Sequence, residues 1–173
     1  IIIGASLPMT GGFSVNGQKH KEGYELCVDL INEKGGLLGR PVEIVISDNR
    51  SDTETAISQY ERLINVDNAD VLFGTFSSKL TFPASAITEQ NKMVHPIPSG
   101  AALRIYEQGH EYLFYFQPAA AEYVGNSPIR MLQDLVAAED LPKTAAVVHA
   151  DDFFANGIAA GLRGEQVTDP GSG

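Results

Sequence analysis

What most constrains this chain is its alternation of strand and helix signals from the first residue onward. Ile1 to Leu7 is a short apolar run that stops at Pro8, Gly11 and Gly12, so a strand enters a loop. From about Gly17 to Lys34, Tyr24, Cys27, Leu30 and Ile31 recur at helical spacing, and Gly35-Gly36 supplies a helix stop. Val42 to Ile46 is a second strand. Asp52 is placed to cap a helix carrying Ala56, Ile57, Tyr60, Leu63 and Ile64 on one face. Asp70 to Phe76, Met93 to Ile97 and Tyr112 to Gln117 read as further strands, with a helix ending near Gln90 and two turns at most over Leu103 to Gln108. The apolar Tyr112 to Gln117 run is expected to lie in a sheet buried on both faces.

The pattern pauses at Gln117-Pro118-Ala119, where Pro118 removes a ladder donor, and a hinge is expected there. Beyond it the spacing predicts a helix in two pieces around Pro128 reaching about Ala138, a sixth strand over Thr144 to His149, a helix from Phe153 to Leu162, and a frayed tail from about Gly164. Repeated strand–helix units imply an α/β fold, a parallel sheet sandwiched by helices. The division expected is a lobe over residues 1–117 and part of a second over 118–173.

Composition narrows the function. A net charge of −10 argues against nucleic acid and anionic membranes as partners. With Cys27 as the single cysteine no internal disulfide can form, and the helical stripe around it predicts a buried small hydrophobe. No apolar run approaches the ~20 residues that span a bilayer, and there is no basic segment followed by an apolar one of the signal-peptide kind. The first strand–helix turn lacks GxGxxG and GxxxxGK[ST], and GxSxG does not occur. The four histidines have no ligand spacing: His20 is expected on an exposed helix face, His95 in a strand, His110 in a turn and His149 at a strand end. Asp151-Asp152 reads as helix capping before Phe153 rather than a metal site. No cofactor, metal or catalytic residue is expected.

In open α/β sheets ligands bind at the carboxyl ends of the strands. Three such ends here are rich in small and hydroxyl residues: Pro8 to Gly17, Gly74 to Ser78 with Ser77, and Pro98 to Ala101 with Ser99 and Gly100. Hydroxyls and free amides before a helix suit a carboxylate; equally, Ser77 or Ser78 can serve only as a helix cap. Convergence of all three loops would make a pocket. Phe153 and Phe154 follow a strand end and should face its edge.

The motifs GASLPMTGGFSVNGQ, INEKGGLLGRPVEIVISDN, GTFSSKLTFPAS, HPIPSGAAL and AAVVHADDFFANGIAAGL resemble, in order, those of periplasmic solute-binding proteins for branched-chain amino acids. The resemblance runs from residue 1 to about residue 163. It implies the type I periplasmic-binding fold, two α/β lobes closing on a ligand, and the extracytoplasmic component of an ABC importer, periplasmic or lipid-anchored, working with permease subunits and not as an enzyme. A ligand-sensing domain on the same fold is the alternative. By the resemblance Ser78 falls on the serine that holds the ligand carboxylate, and Ser99 on the residue whose carbonyl accepts the ammonium. Ala101 stands where amino-acid binders usually carry threonine, Phe154 on an aromatic reaching from the second lobe, and Asn16 where an aromatic often flanks the pocket. Ala101 and Phe154 bring no hydroxyl, so an apolar or aromatic carboxylate rivals an amino acid as ligand. Relative to the family this chain carries one lobe and the opening of the next. Self-association through the unpaired edge around Thr144 to Val148 is therefore expected.

Overall fold

The first strand sets the centre of the molecule because it is apolar on both sides. In the computed structural model, which describes residues 1–137, 140 and 143–164, β1 (Ile2–Leu7) is buried from Ile3 onward. It lies between β2 (Glu43–Asp48) and β3 (Val71–Phe73), parallel to both, with Ile3 opposite Ile44 and Val71. β4 (His95–Ile97) and β5 (Leu113–Tyr115) form a parallel pair of their own. The Leu72 amide donates to the Val94 carbonyl at 3.1 Å and the Gly74 amide to that of Pro96 at 2.8 Å. The strand order is thus β2-β1-β3-β4-β5. In a parallel ladder the return bonds across the β3–β4 seam would come from residues 96 and 98, and both are prolines without an N–H. The Gly74 carbonyl accepts instead from the Tyr24 hydroxyl, at 2.9 Å.

Helices cover both faces of the sheet. α1 (Ser14–Glu33) packs its Val28 against Ile3 and Val42 on one side. α2 (Thr53–Asn65) and α3 (Ser78–Gln90) bring Tyr60, Leu63 and Ala84 onto Leu72 and Ala69 on the other. Neighbouring Ile2 and Ile3 serve opposite faces, as strand alternation requires. Leu63 and Leu72 are fully buried, each contributing roughly 1.5–3 kcal/mol. α1 ends where the sequence puts a stop: the Gly36 amide donates to the Ile31 carbonyl and that of Gly35 to Asn32, both glycines at positive φ. Asp52 caps α2, accepting from the Thr55 amide at 2.8 Å. A 3₁₀ helix over Leu103–Gln108 fills the short helical segment. After it come α4 (Ala121–Leu135) and α5 (Phe153–Leu162).

Four local expectations are corrected. Cys27 is exposed, as are Leu26 and Leu30; the inward line of α1 runs through Gly17 and Val28, with Ile31 against the same cluster, and Cys27 lies about 100° around the helix from Val28. β5 is not covered on both faces: Phe114 is 48% and Phe116 68% exposed, because β5 packs chiefly on β4 and no described helix lies squarely over it. α4 runs through Pro128 as one helix. Thr144 to His149 is exposed and forms no strand, because no described strand lies beside it to complete a ladder. The expected tail, beyond Gly164, lies outside the described residues, as does Ala138.

Candidate functional site

The carboxyl ends of β1, β2 and β3 are tied together by a buried polar network. The Asn49 side-chain amide donates to Ser6 Oγ at 3.0 Å and to Thr75 Oγ1 at 3.1 Å, while Ser6 Oγ donates to Gln59 at 2.8 Å. Ser6, Asn49 and Thr75 are all fully buried, so every bond here replaces one lost to water. Asp48 binds the first loop: its carboxylate accepts from the Met9, Thr10 and Arg50 amides and from the Thr10 hydroxyl. Desolvation pushes the Asp48 carboxyl upward, but the bonds from Arg50, Thr10 and Met9 outweigh it and hold it below the usual carboxylate range. None of these residues carried a ligand-type motif. Ser6, Asn49 and Thr75 sit at strand ends, which was the available signal.

Above this network Ser77, Ser78, Ser99 and Phe154 come together. With Phe76 and Gln117 they line a pocket of about 100 Å³. Beside it a wider cleft of about 460 Å³ is lined by Phe13, Lys79, Asp151, Asp152, Phe153 and Asn156. Ser77 occupies the cap position of α3 without capping it through its own side chain. The amides of Ser78 and Lys79 precede the first intrahelical bonds, and the first turn holds no acidic residue. That helix end offers positive potential and free donors toward the pocket. Ser78 is fully buried and its Oγ accepts from the Ala102 amide at 3.2 Å, which leaves its proton for another acceptor.

Other candidates sit behind or beside the pocket. Ala101 is buried, its carbonyl accepting from the Ala121 amide at the start of α4. Gly100 packs so closely on Thr81 that a Cβ would stand 2.9 Å from it, and its carbonyl accepts from the Tyr106 hydroxyl. Both residues shape the wall rather than line it. Asn16 is exposed on α1 and is not brought to the pocket: α1 begins at Ser14, so Asn16 already lies on the helix surface. Phe13, just before the helix, turns inward instead, edge-on to Phe76 with centroids 5.6 Å apart. His20 departs from its expected exposed position. It is half-buried against Tyr24 and Phe76 and hydrogen-bonds Ser99.

Phe154 reaches the pocket because α5 is docked firmly. Asp152 caps α5 through the Ala155 amide at 2.8 Å, as the sequence suggests, while Asp151 accepts from the Asn156 side-chain amide rather than from a helix backbone N–H. Phe153 stacks on Phe82 of α3 at 5.1 Å, with the Arg104 guanidinium 5.2 Å from its ring centre. α4 and α5 meet through glycines: a Cβ at Gly125 would lie 2.2 Å from the Ile158 carbonyl oxygen, and one at Gly161 2.0 Å from that of Glu122. Just before α4 the Tyr115 hydroxyl is shared between the Ala119 carbonyl and Gln117, each at 2.9 Å. Burial, with the Glu122 charge adding, pushes that phenol up to about 12. Among the described residues no cluster of histidine, cysteine and carboxylate side chains is arranged to hold a metal.

Residues 1–165 match the family model described as periplasmic binding protein. The chain belongs to that family. Among its relatives, the Leu/Ile/Val-binding protein homolog 7 of Brucella suis biovar 1 is 30% identical over 165 residues, covering 92% of this chain and 40% of the relative. An amino acid binding protein of Pseudomonas aeruginosa is 24% identical, covering 95% and 43% respectively. The chain thus spans well under half the length of the curated relatives it matches. Two solved structures have the same fold. The branched-chain amino acid transporter substrate-binding protein of Streptococcus pneumoniae, in complex with isoleucine, superposes with a TM-score of 0.81 at 24% identity, over 95% of this chain and 46% of that one. A solute-binding protein of an ABC transporter from Rhodopseudomonas palustris, in complex with benzoate, also gives 0.81, at 22% identity over 94% and 43%. This periplasmic binding protein therefore has the expected α/β architecture of parallel sheet and flanking helices.

Proposed function

We propose that this chain is part of the extracytoplasmic solute-binding component of an ABC importer, periplasmic or lipid-anchored, and that it captures a small carboxylate for the permease without catalysis. Residues 1–117 form the first ligand-binding lobe, and residues 118–173 open the second. The observation that carries the reading is the meeting of Ser77, Ser78 and Ser99 with Phe154 at the N-terminus of α3. The helix end and Ser78 hold the carboxylate, and Phe154 with Phe76 packs on the apolar part. Gly100 and Ala101 set the depth of the wall, and Asn16 takes no part in it. The amino-acid and benzoate complexes of related proteins support a ligand of this class.

Isothermal titration of the natural gene product against branched-chain and aromatic amino acids and benzoate-type acids tests the reading. Binding of one class is expected, with affinity falling at least about tenfold in Ser78→Ala, since a lost hydrogen bond to a charged group is worth about 1.5–3 kcal/mol. A gene product that binds none of them refutes it. For the chain alone, self-association follows from exposed Val148 and from Met131 and Leu135 of α4; a monomer in sedimentation at all concentrations would oppose it.

A further inference from the structure

His20 stands on α1, one turn beyond Asn16, with Nδ1 2.8 Å from the Asn16 carbonyl oxygen. A carbonyl only accepts, so Nδ1 carries the proton, and the neutral ring turns a bare lone pair at Nε2 toward Ser99 Oγ. The ring is held in this pose by Tyr24, edge-on at 6.0 Å, and by Phe76 at 5.9 Å. Tyr24 cannot compete for it, because its hydroxyl is committed to the Gly74 carbonyl. Ser99 must therefore donate its one proton to His20, and toward the pocket it presents lone pairs only. Ser78 is set the opposite way: its oxygen accepts from the Ala102 amide, and among the described residues its proton has no acceptor. The pocket thus has a donating pole at Ser78 and the α3 N-terminus and an accepting pole at Ser99.

We infer that His20 is a positioning residue that fixes the Ser99 hydroxyl as an acceptor, so that the pocket selects carboxylates bearing an ammonium or hydroxyl group beside the carboxylate over bare carboxylates. Ala101 supplies no side-chain oxygen, so at this wall the accepting side-chain oxygen is that of Ser99. A bare carboxylate would bring no donor to the Ser99 lone pairs, whereas an ammonium or hydroxyl group beside the carboxylate would. The inference rests on the carboxylate-binding reading above.

The test is isothermal titration of the natural gene product. Two matched pairs serve as probes: L-leucine with 4-methylpentanoate, and L-phenylalanine with 3-phenylpropanoate. The wild type is expected to prefer the amine of a pair by at least about tenfold, equivalent to one mismatched hydrogen bond. Ser99→Ala and His20→Phe should each collapse that ratio to within about threefold. His20→Gln, whose side-chain oxygen can still accept from Ser99, should restore part of it. Equal binding of both members by the wild type overturns the inference, and so does a ratio unchanged in Ser99→Ala or His20→Phe. If His20→Phe does not fold, Ser99→Ala and His20→Gln decide. If the wild type binds no probe, the carboxylate-binding reading is what has failed, and the inference falls with it.

Discussion

Acid should destabilise this protein through one histidine. His95 is fully buried in β4, with Nδ1 3.0 Å from Thr88 Oγ1, its ring 5.1 Å from that of Tyr60, and no partner for Nε2 among the described residues. Desolvation pushes its imidazole down to about 3. The folded value lies below the unfolded value of about 6.5, so the unfolded chain binds the proton first. The stability linked to His95 is therefore complete above pH 6.5 and drains as pH falls toward 3. Between pH 7 and pH 5 the loss comes to about 2 kcal/mol, with no solvent screening to discount it at a fully buried site. The control is His95→Leu: it removes the titrating group, and Thr88 keeps its bond to the Ser85 carbonyl at 3.0 Å. Urea unfolding followed by circular dichroism at pH 7, 6 and 5 gives both curves. The wild type should lose about 2 kcal/mol more than His95→Leu over that range. Parallel losses in the two proteins would refute the reasoning, since His20, His110 and His149 are common to both.

Further perturbations follow from the same contacts. Asp48→Ala frees the Pro8 to Gly17 loop from β2, and a loss of about 1–2 kcal/mol is expected in denaturant titration. Gly36→Ala forces a Cβ onto the Arg40 carbonyl oxygen, 1.9 Å away, at φ +80°; a loss above about 2 kcal/mol should appear as a lower urea midpoint. Tyr24→Phe strips the Gly74 carbonyl of its hydroxyl donor and should cost about 1 kcal/mol by the same assay. Gly161→Leu drives α5 away from Glu122 of α4 and should weaken ligand binding in titration, because Phe154 rides on α5.

Period and punctuation made most of the fold legible. β1, α2 and the Gly35-Gly36 stop carry strong local signals, and each stands within a few residues of its expected place. What failed were inferences about which side of an element meets the core. α1 carries Tyr24, Leu26, Cys27, Val28, Leu30 and Ile31, more apolar residues than one stripe can hold, so spacing alone could not choose Val28 over Cys27. Thr144 to His149 has the composition of a strand, but a strand exists only through a neighbour's backbone. At the site, glycine and serine at strand ends pointed to the loops. The reversal at Asn16 and Phe13 turned on where α1 begins, and element boundaries are what sequence fixes least. His20 carried no signal at all: its partner Ser99 is 79 residues away in the chain.

The same contrast bears on how the second segment reaches the pocket. Thr144 to Ala150 is exposed and unpaired, so no sheet positions α5. Instead α5 is held by a cap at Asp152, a ring stack on Phe82 and glycine contacts with α4. α4 itself is tied to the segment after β4 through the Ala101 carbonyl and through Glu122, which accepts from the Leu103 amide at 3.3 Å. The 3₁₀ segment beside Ala101 is thus the junction on which both walls depend: it backs Ser78 from one side and carries α4 from the other. A change there should alter the distance between Ser78 and Phe154 without touching either, which makes Ala101 important to the pocket even though it presents no atom to it.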